Sequence, residues 1–432
     1  MKSNERTLWD SINWRLIICY LLLILAGWAN IYASIHSTEP SSIFDWSARC
    51  GKQFIWILTA LVLDVLILFV ISPRLWEVIS TPSYLFVLFL LVLVIFVSKD
   101  VKGSHSWFEL GPVKFQPAEI SKITTSLLLA MVMSKPAFKI TDQKSFWTAA
   151  LIIGIPMLTI VAESETGSAL VYVGFIFVLY REGFSGWWLF MMGMAIIIFI
   201  FTLTAGWKVS GIITLVAALG YIIWIIRSSR DSEVKKRIRT AAIWRALLGI
   251  AAGAMLILAT DFLFNNVLQD HQRKRIEVLL GMTEDPSGVG YNVRQSMIAI
   301  GSGGLSGKGF LKGTQTTYGF VPEQSTDFIF CTVGEEWGFL GCLAIILAYA
   351  YMIYTIVNSA EESREGFTRI YGYCLASCLF MHLFINIGMT IGLMPVIGIP
   401  LPFLSYGGSS LWAFSVMLFI FIALDRQENK YF

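Results

Sequence analysis

Apolar stretches of about twenty residues recur along this chain, and short polar connections separate them. A stretch of that length is what an α-helix needs to cross the hydrocarbon core of a bilayer. The pattern therefore predicts a single integral membrane domain over residues 1–432 with about twelve spans. The predicted spans are 14–33, 53–72, 83–98, 117–134, 147–163, 167–181, 187–205, 209–226, 242–264, 326–357, 368–391 and 403–424.

The composition excludes a soluble protein. Hydrophobic residues make up 56% of the chain and charged residues 14%, whereas charged residues supply about a quarter of a soluble domain. Most of the surface must then face lipid. The net charge of +3 comes without a basic block, which argues against a nucleic-acid partner. The first apolar run is long enough to span and many more follow, so we interpret it as an uncleaved first helix.

The distribution of lysine and arginine predicts the side of each connection, because cytoplasmic connections carry an excess of both. With a cytoplasmic N-terminus, the even-numbered connections lie on the cytoplasmic side and hold most of the cations. They contain Arg74, three lysines within 135–144, Arg181, and six basic residues within Arg227–Arg239. Both termini are therefore predicted to be cytoplasmic, and residues 265–324 to be extracytoplasmic.

The longest extramembrane stretch, 265–324, is glycine-rich but not linker-like. Nine glycines lie between Gly281 and Gly313, interleaved with apolar residues such as Tyr291 and Phe310. Non-helical backbone at membrane depth is tolerated where it lines a protein cavity. This pattern predicts a large structured outer-face loop with re-entrant or interfacial pieces.

Glu119 and Lys122 form a charged pair at the outer end of the fourth predicted span. Pro117 suits the first turn of a helix, which would place the two charges three residues apart on one helix face. One interpretation is an interfacial ion pair that extends to water. The other is a functional cavity, because charges inside spans commonly mark one.

Asp285 lies in the long loop, in a run of Asp-Pro-Ser-Gly. That run is typical of a turn. A carboxylate on a mobile loop near Glu284 and several cations could also serve as a general base or a metal ligand.

Four acidic residues begin or enter the tenth predicted span. Glu323 and Asp327 stand at its start, where the helix dipole favours negative charge. Glu335 and Glu336 lie deeper, where an unpaired carboxylate costs about 2.5–3.5 kcal/mol on insertion scales. The deeper pair must therefore have partners, through structural ion pairing or catalysis.

Prolines and glycines interrupt the helical pattern between Leu393 and Trp412. Ser405 and Tyr406 begin the run Ser-Tyr-Gly-Gly-Ser-Ser, which forms a turn and offers backbone N–H groups to an anion. Three lone polar residues inside spans are expected to make helix–helix hydrogen bonds, namely Asp64, His382 and Asn386.

These segments together resemble the SEDS family (shape, elongation, division and sporulation), and its RodA branch more than its FtsW branch. The resemblance covers nearly the whole chain. Its motifs are Gly103-Ser104 to Trp107, Leu110-Gly111, Phe115-Gln116-Pro117 with Glu119 and Lys122, Asp285-Pro286, Gly288, Gly290-Tyr291, Gln295-Ser296, Ala299 to Gly304, Gly307-Lys308-Gly309, Gly313-Thr314-Gln315, Pro322-Glu323, Thr326-Asp327-Phe328, Glu335-Glu336, Asn386-Ile387-Gly388-Met389 and Pro402 to Ser409.

The resemblance implies a peptidoglycan glycosyltransferase that polymerises lipid II at the outer face of the cytoplasmic membrane during cell elongation and shape maintenance. It implies a class B penicillin-binding protein as partner, with other membrane proteins of the elongation complex. By family motif, Asp285 matches the essential loop aspartate, and Glu119 and Lys122 match the paired charges of the cavity.

The chain departs from the family pattern in three places. His105 and Ser106 stand where the family usually has a basic residue. Glu165, within Glu163–Gly167, stands where the family has an aspartate. The family usually has ten spans, so 187–240 is predicted to be an inserted helix pair with a basic cytoplasmic loop.

Glycosyl transfer from a lipid pyrophosphate needs a base and a positively charged site for the leaving group. We predict Asp285 as the base, with Lys122, Arg294 and Lys308 on the pyrophosphate and a divalent cation, Mg²⁺ or Mn²⁺, as candidate cofactor. Further substrate-binding candidates are Gln295, Ser296, Glu323, Asp327, Ser405 and Tyr406. A lipid II flippase and a non-catalytic scaffold for the transpeptidase are the alternatives.

Overall fold

The computed structural model describes residues 9, 11–36, 42–98, 106–110, 113–228, 232–283 and 288–429. Fourteen α-helices make up most of this described part. They are α1 Trp14–Ile35, α2 Arg49–Phe69, α3 Pro73–Val97, α4 Pro117–Met133, α5 Gln143–Ala162, α6 Thr166–Tyr172, α7 Phe175–Arg181, α8 Gly186–Ser228, α9 Ser232–Phe262, α10 Asp270–Leu279, α11 Val289–Ser302, α12 Ile329–Glu362, α13 Gly366–Thr390 and α14 Gly408–Asn429.

The long helices confirm a polytopic membrane protein. Within the described residues, nine helices are long and apolar enough to cross a bilayer. The α6–α7 pair adds a shorter apolar run, Thr166–Arg181, and α4 is a further helix of 17 residues. α8 is interrupted at Gly206, whose φ of 83° and ψ of 157° are not helical. When the two halves of α8 are counted separately, the described residues contain twelve helical segments of this kind. Gly206 lies at the predicted boundary between two spans.

The third helix begins earlier than predicted. The sequence predicts a connection over 73–81 and a short span over 83–98, but α3 runs from Pro73 to Val97. Pro73 occupies the first turn, where a missing N–H costs nothing, and Pro82 lies inside the helix. Transmembrane helices tolerate an internal proline because neighbouring groups satisfy the freed carbonyl. The predicted start of this span at residue 83 was therefore wrong.

A short β-hairpin precedes α4. β1 (Phe108–Leu110) pairs antiparallel with β2 (Val113–Phe115), and Phe108 lies opposite Phe115. The sequence predicts only a connection here. The hairpin leads the chain directly into Pro117, the first residue of α4.

The stretch 265–324 contains more helix than a loop prediction implies. A π-helical turn covers Leu263–Val267, and α10 and α11 follow. Turns then lead into α12, which has a non-helical residue, Gly338, with φ 65° and ψ −161°. This interruption accounts for a helix of 34 residues, longer than one crossing requires.

The chain divides into two compact units, Met1–Phe184 with Tyr291–Phe432, and Ser185–Gly290. In the first unit, α13 and α14 are the most deeply buried of the long helices. α13 packs on α4, α7 and α12, and α14 packs on α2 and α4. In the second unit, α8 packs along α9. The candidate site is described within the first unit, around α4 and α13.

Candidate active site

The first turns of α4 bring the predicted charged pair together. Lys122 Nζ lies 2.9 Å from Glu119 Oε1, and the two side chains are only 1% and 3% exposed. The i,i+3 spacing places both on one helix face, as predicted. The pair is enclosed by protein, so it does not extend to water as an interfacial ion pair would.

A histidine from α13 completes the environment of Lys122. Lys122 Nζ lies 2.9 Å from His382 Nε2, and His382 Nδ1 lies 2.9 Å from the carbonyl oxygen of Pro400. A carbonyl can only accept, so Nδ1 carries the proton and Nε2 accepts from the ammonium. The neutral imidazole is thereby held in one tautomer. The Phe414 ring covers the cluster, with its centroid 5.0 Å from Nζ.

The hydrogen-bonding capacity of this cluster is not exhausted. An ammonium has three donors, and Lys122 directs two of them to Glu119 and His382. Glu119 Oε2 is buried and has no hydrogen-bond partner among the described residues. An unpaired buried carboxylate oxygen is costly. The cluster therefore offers one donor and one acceptor to a polar ligand.

One turn further along α13, Asn386 extends the polar face of the helix. Its amide donates to the carbonyl oxygens of Asp327, at 2.8 Å, and Ile399, at 2.7 Å. His382 and Asn386 are four residues apart, so they share one face of α13. The hydrogen bond of His382 to Lys122 of α4 confirms the expected helix–helix contact, whereas Asn386 donates to carbonyls in the turns around α12 and α14 instead. Both hold the segment 399–405 in place.

Ser405 and Tyr406 link the turn before α14 to the turn before α12. Ser405 Oγ donates to the carbonyl oxygen of Thr326, at 2.6 Å, and accepts from the Leu401 N–H, at 2.8 Å. The Tyr406 N–H donates to the carbonyl oxygen of Ser325, at 2.8 Å. Asp327 is half-buried in the same region. These contacts bring the predicted turn residues beside the start of α12.

α11 presents its predicted residues differently. Ser296 is buried and its hydroxyl donates to the carbonyl oxygen of Thr390, at 2.9 Å, which fastens α11 to the end of α13. Gln295 is half-buried and Arg294 is exposed. Glu323 is exposed and has a positive φ of 52°. Of these four, Arg294 is the cation, and it lies on α11 two residues before Ser296, which is fastened to the end of α13.

Lys308 lies in a separate cluster. Its Nζ is 2.7 Å from Glu335 Oε1, and Glu335 is fully buried. The other donors to this carboxylate among the described residues are the N–H groups of Thr314 (2.7 Å), Gln315 (2.9 Å) and Thr316 (2.8 Å) and the hydroxyls of Thr314 (3.1 Å), Thr316 (2.7 Å) and Ser302 (3.5 Å). Glu335 therefore has the partners that its depth requires.

Glu336 and the main chain complete this cluster. Glu336 Oε1 accepts from the Leu311 N–H at 3.2 Å. The Lys308 N–H donates to the Glu335 carbonyl at 3.0 Å, and the Gly309 N–H donates to the Glu336 carbonyl at 2.9 Å. The glycine-rich segment 303–316 is thus bound to the first half of α12. The Lys308 ammonium of this segment is paired with the Glu335 carboxylate of α12.

Two departures from the family pattern contact one another. The Ser106 hydroxyl donates to Glu165 Oε1 at 2.7 Å. Gly167, just beyond, packs against Ile397 and Ile399, so this turn borders the segment that precedes Pro400. Burial, with a further contribution from the charge of Glu165, raises the pKa of Glu163 to about 8. Sequence reasoning found the two substitutions but not their contact.

Asp285, the predicted base, lies outside the described residues. Among those described, no group of three or more His, Cys, Asp or Glu side chains is arranged to hold a metal ion. The Glu119 carboxylate is paired with an ammonium, which is an unfavourable neighbour for a cation. The described residues of the site therefore do not form a divalent-metal centre.

The fold and this site define a polytopic helical membrane protein with an enclosed lysine–glutamate–histidine cluster at the junction of α4, α13 and the turn before α14. The family model of the FtsW, RodA and SpoVE cell cycle proteins matches residues 13–227 and 238–430. The chain belongs to this family. Residues 187–227, most of the region predicted to hold an inserted helix pair, lie within the first matched range.

Individual relatives agree with that assignment. The peptidoglycan glycosyltransferase MrdB of Escherichia coli K12 is 32% identical over 410 residues, covering 94% of this chain and 92% of the relative. The RodA crystal structure from Thermus thermophilus has a TM-score of 0.61 at 22% identity, covering 97% and 98% of the two chains. The predicted family is confirmed, as is the predicted class of enzyme, a peptidoglycan glycosyltransferase.

A second solved structure shares the fold. It is a chain of a peptidoglycan synthase complex in which polymerization and crosslinking are coordinated. Its TM-score is 0.69 at 23% sequence identity, and the match covers 96% of this chain and 98% of that one. The helical architecture predicted from the sequence is thereby confirmed over nearly the full length.

Proposed function

We propose that this protein polymerises lipid II into glycan strands at the outer face of the cytoplasmic membrane, during cell elongation and shape maintenance. The observation that carries the proposal is the buried Lys122, held between Glu119 and His382 with one donor to spare. A buried, pre-oriented cation is suited to an anion that gains charge during reaction. The glycosyltransferase name of a relative 32% identical supports the reaction class.

The reaction joins two lipid-linked sugars. A hydroxyl of the acceptor sugar attacks the anomeric carbon of the donor, a new C–O bond forms, and the bond from that carbon to the pyrophosphate breaks. The hydroxyl proton passes to a base, and the lipid pyrophosphate leaves with the bonding electrons. The enzyme must therefore provide a base, a cation for the leaving group, and a fixed geometry between the two sugars.

Lys122 is the cation that we assign to the leaving pyrophosphate. Glu119 and His382 fix the direction of its ammonium, and the Phe414 ring excludes water from one side. Preorganised charge of this kind costs no reorganisation during the reaction. Glu119 is thus a positioning residue in this proposal.

Arg294 is the second cation that we assign to the substrate. It is exposed on α11, which Ser296 ties to the end of α13. Lys308 is not assigned this role, because it is the ion-pair partner of Glu335, whose carboxylate also accepts from the backbone N–H groups of residues 314–316. This pair holds the loop on α12. Gln295, Glu323, Asp327, Ser405 and Tyr406 remain candidates for contacts to the sugars or the lipid head group.

Asp285 is assigned as the general base, on the family motif in which it stands. No step of this mechanism passes through a divalent cation, since the described residues do not supply a ligand set for one. A loaded cation would supply further positive charge to the pyrophosphate.

The orientation and the partner also belong to this proposal. Both termini are cytoplasmic, because the connections on that side carry most of the lysine and arginine. The partner is a class B penicillin-binding protein, within a complex of membrane proteins for elongation. A similar fold in a peptidoglycan synthase complex supports this assignment.

Labelled lipid II, incubated with the purified protein alone and with its transpeptidase, tests the activity. Glycan polymer on a gel is expected from the unaltered chain, and Asp285→Asn is expected to abolish it while partner binding persists. The neighbouring Glu284→Gln is the matched control and should retain polymerisation. Polymer synthesis by Asp285→Asn would refute the assignment of the base. Translocation of lipid II in vesicles without polymer synthesis would favour a flippase. If neither polymer synthesis nor translocation is observed, the result would favour a scaffold.

Labelling of an introduced cysteine tests the orientation. The six native cysteines are all buried in the described part of the chain, so background labelling by a membrane-impermeant thiol reagent should be low. Asp285→Cys is expected to react from outside intact cells. Reaction only after the membrane is opened would place the loop in the cytoplasm and exclude an outer-face polymerase.

A further inference from the structure

Phe403, in the turn before α14, has a backbone conformation that a bulky residue rarely adopts. Its φ is 68°, in the left-handed region, where the Cβ atom crowds a neighbouring carbonyl oxygen. Such a residue persists only where its surroundings fix it, and these residues cluster at functional sites. Phe403 is buried and lies three residues after Pro400, whose carbonyl oxygen accepts from His382 Nδ1. The same turn therefore contains the strained residue and a group that orients the candidate site.

Hydrogen bonds close this turn on both sides of Phe403. The Ser405 N–H donates to the Leu401 carbonyl oxygen at 2.9 Å, and the Ser405 hydroxyl accepts from the Leu401 N–H at 2.8 Å. The Tyr349 hydroxyl donates to the carbonyl oxygen of Pro402, the residue before Phe403. The left-handed conformation is therefore imposed by the residues around it.

The Phe403 ring packs between two other rings. Its centroid is 5.2 Å from that of Tyr20, with an interplanar angle of 89°, and 6.2 Å from that of Phe414, with an angle of 78°. Both are edge-to-face arrangements, which aromatic pairs favour. The Tyr20 hydroxyl lies 2.6 Å from Asp64 Oδ2 and 2.8 Å from Ser415 Oγ. This is the helix–helix hydrogen bond predicted for Asp64, and it fixes one of the two rings that enclose Phe403.

The second ring, Phe414, contacts the candidate site directly. Its centroid is 4.8 Å from that of the His382 ring and 5.0 Å from Lys122 Nζ. Phe403 is thus connected to the Lys122–His382 pair by two routes, through the Phe414 ring and through the turn that carries the Pro400 carbonyl. A change in the packing of Phe403 must therefore alter both groups that orient this pair.

We propose that Phe403 is a positioning residue for the Lys122 ammonium. Its ring holds the Phe414 ring over Lys122, and its left-handed backbone directs the Pro400 carbonyl at His382. This inference rests on the proposed function, in which Lys122 stabilises a pyrophosphate whose charge grows as it leaves. Because that contribution is greatest in the transition state, a misplaced ammonium should lower kcat and leave KM nearly unchanged.

Polymerisation of labelled lipid II by the purified full-length protein with its transpeptidase, measured per folded molecule, tests the proposal. Phe403→Leu removes the ring, and we expect kcat to fall by about 10- to 100-fold while KM changes by less than about twofold. If this variant does not fold, Phe403→Met, which also fills the space without a ring, takes its place.

Phe419→Leu is the matched control. The Phe419 ring is also buried and lies edge-to-face against Tyr20, at 5.3 Å between centroids. In the described part of the chain its ring has no contact with Phe414 or Lys122. Phe419→Leu should lower the unfolding temperature about as much as Phe403→Leu, and its kcat should stay within about twofold of the unaltered value. A similar loss of kcat in both variants, a loss expressed in KM, or an unchanged kcat in Phe403→Leu would overturn the proposal.

The same substitution in a Lys122→Met background separates positioning from a general effect on packing. If Phe403 acts through Lys122, adding Phe403→Leu lowers kcat by less than about twofold further, measured at a raised enzyme concentration. An undiminished loss in this background would show that Phe403 acts by another route. If Lys122→Met polymerises lipid II like the unaltered chain, the assignment of Lys122 in the proposed function fails, and this inference fails with it. If Lys122→Met is impaired and Phe403→Leu is not, this inference alone is wrong.

Discussion

Two glutamate–lysine pairs in this molecule have the same chemical groups but differ in how many hydrogen bonds those groups make. Glu335 and Lys308 are surrounded by the main chain and hydroxyls of residues 314–316, so Glu335 Oε1 and Oε2 both accept several hydrogen bonds. Glu119 and Lys122 have one bond between them and one to His382. Glu119 Oε2 has no partner in the described part of the chain.

The two pairs differ in how much of the hydrogen-bonding capacity of their charged groups is left unused. A carboxylate whose lone pairs are all used fixes the backbone that surrounds it, and it has nothing to offer a ligand. A buried pair with unused capacity is poorly compensated until a ligand arrives. Both carboxylates are buried, but Lys308 is 27% exposed and Lys122 only 1%. The number of partners of the carboxylate and the burial of the lysine together separate the structural pair from the candidate catalytic one.

The largest effect is expected from Glu335→Gln, on stability. The amide places N–H groups against the donors of residues 314–316, and charge-assisted bonds are lost. We expect a loss of about 3–5 kcal/mol, measured by unfolding in detergent. Glu119→Gln is the matched substitution. It removes the counter-charge of the buried Lys122, but its amide oxygen can still accept from Lys122 and no donor faces Oε2, so it should cost less than Glu335→Gln. Equal losses at the two positions would remove the distinction between the pairs.

The second effect is on catalysis. Lys122→Met should lower polymerisation of lipid II by about 10²–10³-fold, the usual effect of removing one preorganised charge from a reaction centre. Lys308→Met is the matched change in the other pair. It should lower the unfolding temperature while each folded molecule keeps most of its activity. Similar losses of activity per folded molecule would place Lys308 in the catalytic site after all.

A smaller effect is expected at His382. His382→Phe keeps the ring but removes the acceptor from Lys122, so the ammonium loses one of its two fixed contacts. Polymerase activity should fall about tenfold, or about 1.4 kcal/mol in the barrier. His382→Gln has an oxygen that can accept the same bond, and it should recover most of the activity. Failure of Gln to exceed Phe would show that only packing matters here.

The smallest effect concerns Glu163, a third buried carboxylate at the edge of the site. Its pKa is raised from the ordinary value of 4.5 to about 8, by burial and then by Glu165. The folded protein therefore binds the proton more tightly than the unfolded chain, so stability should fall as the pH rises from about 4.5 to about 8. Glu163→Gln should remove that part of the decline in unfolding temperature. The exposed Glu77→Gln should leave it unchanged.

Much of the architecture follows from the sequence because hydropathy acts locally. Segments that cross the lipid must be long apolar runs, so the spans could be predicted. The break at Gly206 could also be predicted, because it falls between two such runs. The Glu119–Lys122 pair could also be predicted, since a spacing of three residues fixes neighbours on a helix. α3 could not, because Pro82 marks a boundary in an isolated pattern, whereas neighbouring helices allow it inside a span.

Contacts between segments that are far apart in the sequence could not be predicted from the hydropathy pattern. His382 follows Lys122 by 260 residues, and nothing near either one predicts their hydrogen bond. Lys308 has the same formal charge as Lys122, so a prediction from charge alone gave both the same role. The Thr314–Thr316 backbone, which engages Glu335, is a product of the folded turn. The contact of Ser106 with Glu165 is likewise visible only in three dimensions.

The attachment of the glycine-rich segment 303–316 to α12 has a mechanical consequence. Main-chain hydrogen bonds connect Phe339 to Gly304 at 2.8 Å and Leu340 to Leu305 at 3.1 Å, on the far side of the kink at Gly338. Lys308 and Gly309 are bonded on the near side. The segment therefore bridges the bend through hydrogen bonds to both of its sides. A force that straightens α12 must break these hydrogen bonds before the helix can yield, so the angle of the bend is set by segment 303–316 as well as by the helix.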